Sequence, residues 1–204
     1  MLKSKLATAC AVSLLALGPS AHAYEFPMNK SAHLIPQVIS LPGTGFGVEI
    51  GRATVHGGVV DAALLNAIAM WLSANYDMPL AKPPKIAFVT DRTMQTLRYR
   101  PFVSDAWSSP ANTYSAIAIY VDENQTIYLP TQWTGSTAAE LSVLVHEMTH
   151  HLQNAAAMRF NCAEDREKIA YRAQQEWLEM FGGDFFAEFE SDPFTLLVRT
   201  TCPM

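Results

Sequence analysis

Residues 143–153 read VLVHEMTHHLQ. Three histidines and a glutamate interrupt a run that otherwise has the composition of a buried helix. His146, Glu147 and His150 form the pattern H-E-x-x-H. On a helix, residues four apart share a face, about 6 Å along the axis. Two imidazoles so placed can reach one metal ion, and zinc favours that ligand type in a tetrahedral site. Glu147, beside the first histidine, is placed to act as general base on a zinc-activated water. At roughly 100° per residue, Leu141, Leu144, Val145, Met148 and Leu152 share one face, and His146 and His150 lie on another behind Ala139 and Val143. The spacing predicts a helix over 137–157 that packs on one side and lines a cleft on the other. Thr137 and Glu140 have the spacing of a capping box at its start. His151 lies roughly 100° from His150 and is expected to be an outer-shell or surface group, not a ligand.

A catalytic zinc takes three protein ligands and keeps one position open. The next long helical pattern, NCAEDREKIAYRAQQEWLEMFG from Asn161, offers Glu164, Asp165 and Glu167. Glu167 falls within the apolar half of this helix, near Gln174 and Tyr171. A carboxylate facing a core is unfavourable unless it is paired or holds a metal. Glu167 is therefore the expected third ligand; a buried ion pair with Arg52 or Arg98 is the alternative. Glu164 has a local explanation, as the partner of an Asn161 N-cap.

These segments, HEMTHHLQ followed by EKIAY, resemble the zincin class of zinc metallopeptidases, in its glutamate-ligated (gluzincin) branch. They also resemble small exported bacterial proteins with an HExxH helix and a later E-x-x-A-Y helix. The thermolysin-type aspartate four residues after the glutamate is replaced by Tyr171, and the third histidine of the metzincins is absent. The resemblance implies an α+β zincin-like fold: a small mixed sheet packed on the active-site helix, with a second long helix carrying the third ligand. It implies a zinc-dependent peptidase with His146, His150 and Glu167 on Zn2+ and Glu147 as general base. Tyr171 is a candidate oxyanion donor. One strand of the Tyr114–Pro130 hairpin would bind an extended peptide or protein substrate. A zinc-binding envelope protein without turnover is the second reading.

The remaining sequence sets the frame. The chain has 204 residues and a formal net charge of -5, which predicts one domain and leaves no basic footprint for nucleic acid. Residues 1–23 have the plan of a secretory signal peptide: Lys3 and Lys5, an apolar run from Leu6 to Leu17, then Ala21-His22-Ala23. That run is too short to span a bilayer. The expectation is an exported protein, periplasmic or secreted, without stable membrane insertion once the signal is removed, and with a single domain over 24–204. The two cysteines beyond the signal, Cys162 and Cys202, are expected to form a disulfide.

Upstream, residues 24–58 are expected to be irregular or extended, with short strands near 37–41 and 47–50. A helix from Asp61 to Asn75 and a strand over 85–90 should follow. A short helix over 92–98, a loop over 100–112 and a hairpin around Asp122–Gln125 come next. A short helix near 184–190 closes the reading. LPGTG at 41–45 reads as a turn.

Overall fold

The computed structural model describes residues 37–50, 54–56, 58–99 and 117–203. The expected signal peptide, residues 1–23, the domain boundary at 24 and the expected loop over 100–112 all lie outside these residues.

Two short ribbons come first. β1 (Gln37–Ser40) pairs antiparallel with β2 (Gly47–Ile50), and β3 (Val55–His56) with β4 (Val59–Val60). The LPGTG stretch is the tight connection between β1 and β2, closed by Leu41 N–H to the Phe46 carbonyl at 2.7 Å. Gly43 there has φ +77°, and a Cβ added to it would stand 3.0 Å from Ala74 Cβ, so a side chain would be strained in conformation and tight in space. β3 falls in the stretch expected to be irregular or extended and β4 just beyond it; two-residue strands leave no periodicity to read.

α1 (Ala62–Tyr76) begins where Asp61 accepts the Ala63 N–H at 2.8 Å. It buries Leu64, Leu65, Ile68, Trp71 and Leu72. β5 (Lys85–Val89), α2 (Asp91–Tyr99), β6 (Ile119–Val121) and β7 (Thr126–Pro130) follow. β5 pairs parallel with β7 and β6 antiparallel with it, giving a three-stranded mixed sheet in the order β5-β7-β6 with β6 at an edge. The 122–125 turn is where the sequence places it, and Gln125 adopts a positive φ of 53°.

α3 (Ala138–Ala155) carries the histidines. Its capping box is formed: Thr137 Oγ1 accepts the Glu140 N–H at 3.0 Å, and Glu140 accepts the Thr137 N–H at 3.2 Å. The fully buried Glu140 carboxylate also accepts the main-chain N–H groups of Thr134 and Ser136, tying the entering loop to the helix start. Leu141, Leu144, Val145, Met148 and Leu152 are buried in one core with Trp71, Ile127, Leu129, Trp133 and Trp177. The opposite side of α3 is less open than a simple two-faced helix would be, because α4 (Ala163–Met180) lies along it.

α4 starts one residue later than expected. Cys162, not Asn161, is the N-cap: its Sγ accepts the Asp165 N–H at 3.3 Å, and the Asp165 carboxylate accepts from Asn161, the residue before the cap. α5 (Phe185–Glu188) is the short helix expected near 184–190. α6 (Pro193–Thr200) is not anticipated by the sequence reading; it has no buried residue and touches α4. A disulfide joins Cys162, at the head of α4, to Cys202, just past α6, with Cα atoms 5.7 Å apart. Among the described residues no helix is long and apolar enough to cross a membrane. That observation and the disulfide are compatible with an exported protein.

Candidate metal centre

Each ligand candidate is placed by packing on its back. The apolar face of α3 is locked in the core, which turns His146 and His150 toward α4. The apolar stripe of α4, through Ala170, Ala173 and Trp177, turns Glu167 toward α3. The three side chains meet between the helices. His146 Nε2 lies 3.1 Å from Glu167 Oε2, His150 Nε2 lies 3.3 Å from Glu167 Oε1, and the two Nε2 atoms are 3.2 Å apart. Among the described residues this is the one group of three or more such side chains able to share a metal ion. Glu167, expected as the third ligand, contacts both imidazoles; of the arginines weighed as its alternative partners, Arg52 lies outside the described residues.

The proton positions follow from the groups behind the rings. Gln153 Nε2 donates to the Arg166 carbonyl at 3.0 Å, and its Oε1 accepts from Arg166 Nε at 3.3 Å. A carbonyl can only accept and a guanidinium only donate, so the amide orientation is determined. Gln153 Oε1 therefore faces His150 Nδ1, at 3.0 Å, and that nitrogen carries the hydrogen. The same holds for His146. Ser142 Oγ gives its hydrogen to the Ala139 carbonyl at 2.7 Å and accepts from Gln174 Nε2 at 3.4 Å, so Gln174 Oε1 faces His146 Nδ1 at 3.0 Å. Both neutral imidazoles thus point Nε2 lone pairs at each other and at a carboxylate. Three acceptors converging in a part-buried space repel one another unless a cation lies among them.

The spacing also fits a metal. Donors about 2.0–2.1 Å from a tetrahedral zinc stand about 3.3 Å apart, close to the separation of the two Nε2 atoms and to that of each from its nearer Glu167 oxygen. Burial works to raise the Glu167 carboxyl, but hydrogen bonds and charge from His146 and His150, which the imidazoles supply at Nε2 only when protonated, outweigh it and hold it well below the usual carboxylate range. Burial opposes charging of His150, yet the Glu167 hydrogen bond and the nearby Glu147 and Glu167 charges raise it above its ordinary value. In both cases the site prefers positive charge at its centre.

Glu147 is buried beside the cluster. Its Oε2 accepts the main-chain N–H of Tyr120, on edge strand β6, at 2.7 Å. Arg166 braces the same region: its guanidinium grips Asp122 at 2.6 and 2.7 Å and donates to the His150 carbonyl at 3.1 Å. A cleft of about 840 Å³ opens over the centre, floored by His146, Glu147, His150 and Glu167 and walled by β6, Tyr171 and residues of α5 and α6. The Tyr171 ring stands edge-on to His146, with centroids 4.7 Å apart, and its hydroxyl oxygen accepts from Arg199 Nη1 at 3.0 Å. His151 faces away from the cluster as expected but is buried, not on the surface: it bonds the Lys82 carbonyl and the Tyr120 hydroxyl.

The sequence reading missed Gln153, Gln174, Arg166, Tyr120 and Arg199. Helical phase could have found the first two, since Gln153 follows His150 by three residues and Gln174 follows Glu167 by seven.

A family model described as domain of unknown function (DUF6647) matches residues 58–202. The chain belongs to the DUF6647 family. The DUF6647 match contains α1, the mixed sheet, all four residues of the HExxH–Glu167 centre and both cysteines of the disulfide, and leaves the β1–β2 ribbon upstream of it. No curated protein and no solved structure matches this DUF6647 chain.

Proposed function

We propose that the chain is an exported, zinc-dependent peptidase of the zincin type. The observation that carries the reading is the convergence of three lone-pair donors, His146 Nε2, His150 Nε2 and a Glu167 oxygen, with a second carboxylate, Glu147, anchored beside them. Two imidazoles and a carboxylate are the set used by catalytic zinc with an open position, whereas structural zinc is closed by four protein ligands. Zinc bound there would supply Lewis acidity toward a water and a carbonyl oxygen. A general base next to the centre has no task in a purely structural site.

The chain's own groups then have distinct parts. Glu147 accepts a proton in the cleft and returns it to the leaving amine. Tyr171 takes Arg199's hydrogen bond on its oxygen, so its own hydrogen remains for a substrate oxygen; burial raises the phenol and keeps it protonated at neutral pH. β6 is an edge strand beside the helix of the HExxH motif, as in the zincin plan. Its Tyr120 N–H is taken by Glu147, so an extended peptide would pair with main-chain groups in phase with it, at Ala118 on the cleft wall. The signal-like leader supports export, and the net charge of -5 argues against a nucleic-acid partner.

Metal content of the chain lacking residues 1–23, with a peptide-library digest beside the Glu147→Gln variant, tests the reading. Zinc at one per chain in both proteins, with cleavage only in the wild type, is the expected result. Zinc retained in both without cleavage in either points instead to a zinc-binding envelope protein. No zinc uptake by the wild type sinks both readings.

A further inference from the structure

His151 is the histidine of the motif that a metal centre does not use. Only 3% of it is exposed. Its Nε2 lies 2.8 Å from the Lys82 carbonyl, which can only accept, so Nε2 carries the hydrogen. Nδ1 is then a lone pair, and the Tyr120 hydroxyl 3.2 Å away donates to it. The same hydroxyl oxygen accepts from Asn154 Nδ2 at 3.0 Å, and the tyrosine ring stands edge-on to the imidazole with centroids 5.5 Å apart. Two side chains of α3 therefore grip the Tyr120 side chain, while the Tyr120 main-chain N–H holds Glu147. Glu147 and His151 are four residues apart, one helical turn. Strand β6 is fastened to α3 at two points by one residue: its main chain on the carboxylate, its side chain on the third histidine.

We propose that His151 is a positioning residue that, through Tyr120, sets the Glu147 carboxylate in place beside the metal-binding imidazoles. Its catalytic consequence rests on the peptidase reading; its geometric part does not. The Tyr120 N–H occupies Oε2 and so orients the carboxylate, leaving Oε1 for proton transfer. A charge-assisted bond of this kind is directional, and a general base displaced by about 1 Å can lose about 100-fold in rate. The chain Lys82 carbonyl, His151, Tyr120, Glu147 thus extends the site to the segment that precedes β5. Without His151, Tyr120 loses its hydrogen-bond acceptor and β6 is held at that point by Asn154 alone.

The test uses the chain without residues 1–23 and the variants His151→Phe, Tyr120→Phe and the two combined. Tyr120→Phe removes one hydroxyl and keeps the main-chain N–H, so it serves where His151→Phe does not fold. Zinc content, kcat and KM on a peptide found by library digest, and hydrogen exchange at the Tyr120 amide against β7 amides are measured together. The expected result is zinc unchanged, KM within about twofold, and kcat lowered about 10–100-fold in each single variant. The double variant should be no slower than the slower single, because both act through one contact. The Tyr120 amide should exchange at least about tenfold faster relative to β7 in either single variant. Unchanged kcat in a cleaving enzyme, or fully additive losses, overturns the proposal. If zinc-loaded wild type cleaves nothing, the peptidase reading falls separately and exchange at Tyr120 decides: unchanged protection overturns the positioning role.

Discussion

His146 Nε2 stands 3.1 Å from Glu167 Oε2, across the seam between α3 and α4 and 21 positions along the chain. With His146 Nδ1 protonated toward Gln174, neither atom carries a hydrogen when the ring is neutral. The contact is attractive only around a positive charge, and the consequences can be measured.

Glu167→Ala should remove one of three donors while leaving α4 intact, since alanine is a good helix former. Zinc affinity should fall by at least about 100-fold. Competition with a chromogenic chelator reads it; an unaltered affinity would show that Glu167 is not a ligand.

Gln153→Leu and Gln174→Leu each remove the acceptor that orients an imidazole. A weakening of zinc binding by about 10–100-fold is expected for either one. Gln153 should be the more sensitive of the two, because its amide bonds Arg166 through both ends, whereas that of Gln174 has one longer bond to Ser142.

Acid and base should act oppositely on the metal-free protein. The Glu167 carboxyl is held below its ordinary 4.5, so its stabilisation is present above that pH and lost as pH falls through the folded value. His150 is raised above its ordinary 6.5, so its share is complete below that pH and fades as pH rises through the folded value. For this pair the chelator-treated chain should be most stable between those two values. Zinc competes with the proton on His150, so the gain in Tm on adding zinc should grow from about pH 5 to about pH 8. Thermal melts across that range check both trends.

Tyr171→Phe keeps the ring against His146 and deletes the hydroxyl. If that hydroxyl donates to the developing oxyanion, kcat should drop by about 100–1,000-fold with zinc binding unchanged. A loss confined to KM would assign Tyr171 to substrate packing instead.

Cys202→Ser opens the link between the head of α4 and the end of α6 and leaves Cys162 as the N-cap. The crosslink closes a separation of 40 residues, so its removal should cost about 2–4 kcal/mol in urea unfolding. Zinc binding should survive, since no residue of α6 is among the three metal candidates.

Much of this arrangement was readable from the order of residues, and the reason is periodicity. His146 and His150 share a helical face at any helix with that spacing. Glu167 stood out because a carboxylate occupied the apolar phase of α4. Thr137 and Glu140 announced their cap three residues apart, and Cys162 and Cys202 were the cysteines left to pair. The N-cap of α4 shows the limit of such reasoning: Asn161 with Glu164 and Cys162 with Asp165 have the same spacing, and local pattern does not separate them. The disulfide that holds Cys162 at the head of α4 belongs to the tertiary structure.

The sequence by itself determined which side chains could form a metal centre, because ligand type and helical phase are local properties. Only the tertiary structure decided how those side chains are held: which amides orient the imidazoles, that Glu147 rests on a main-chain N–H of β6, and that His151 is bound inward to Lys82 and Tyr120. Those contacts join elements distant along the chain, and several run through main-chain groups, which every residue carries and which therefore leave no mark in the sequence.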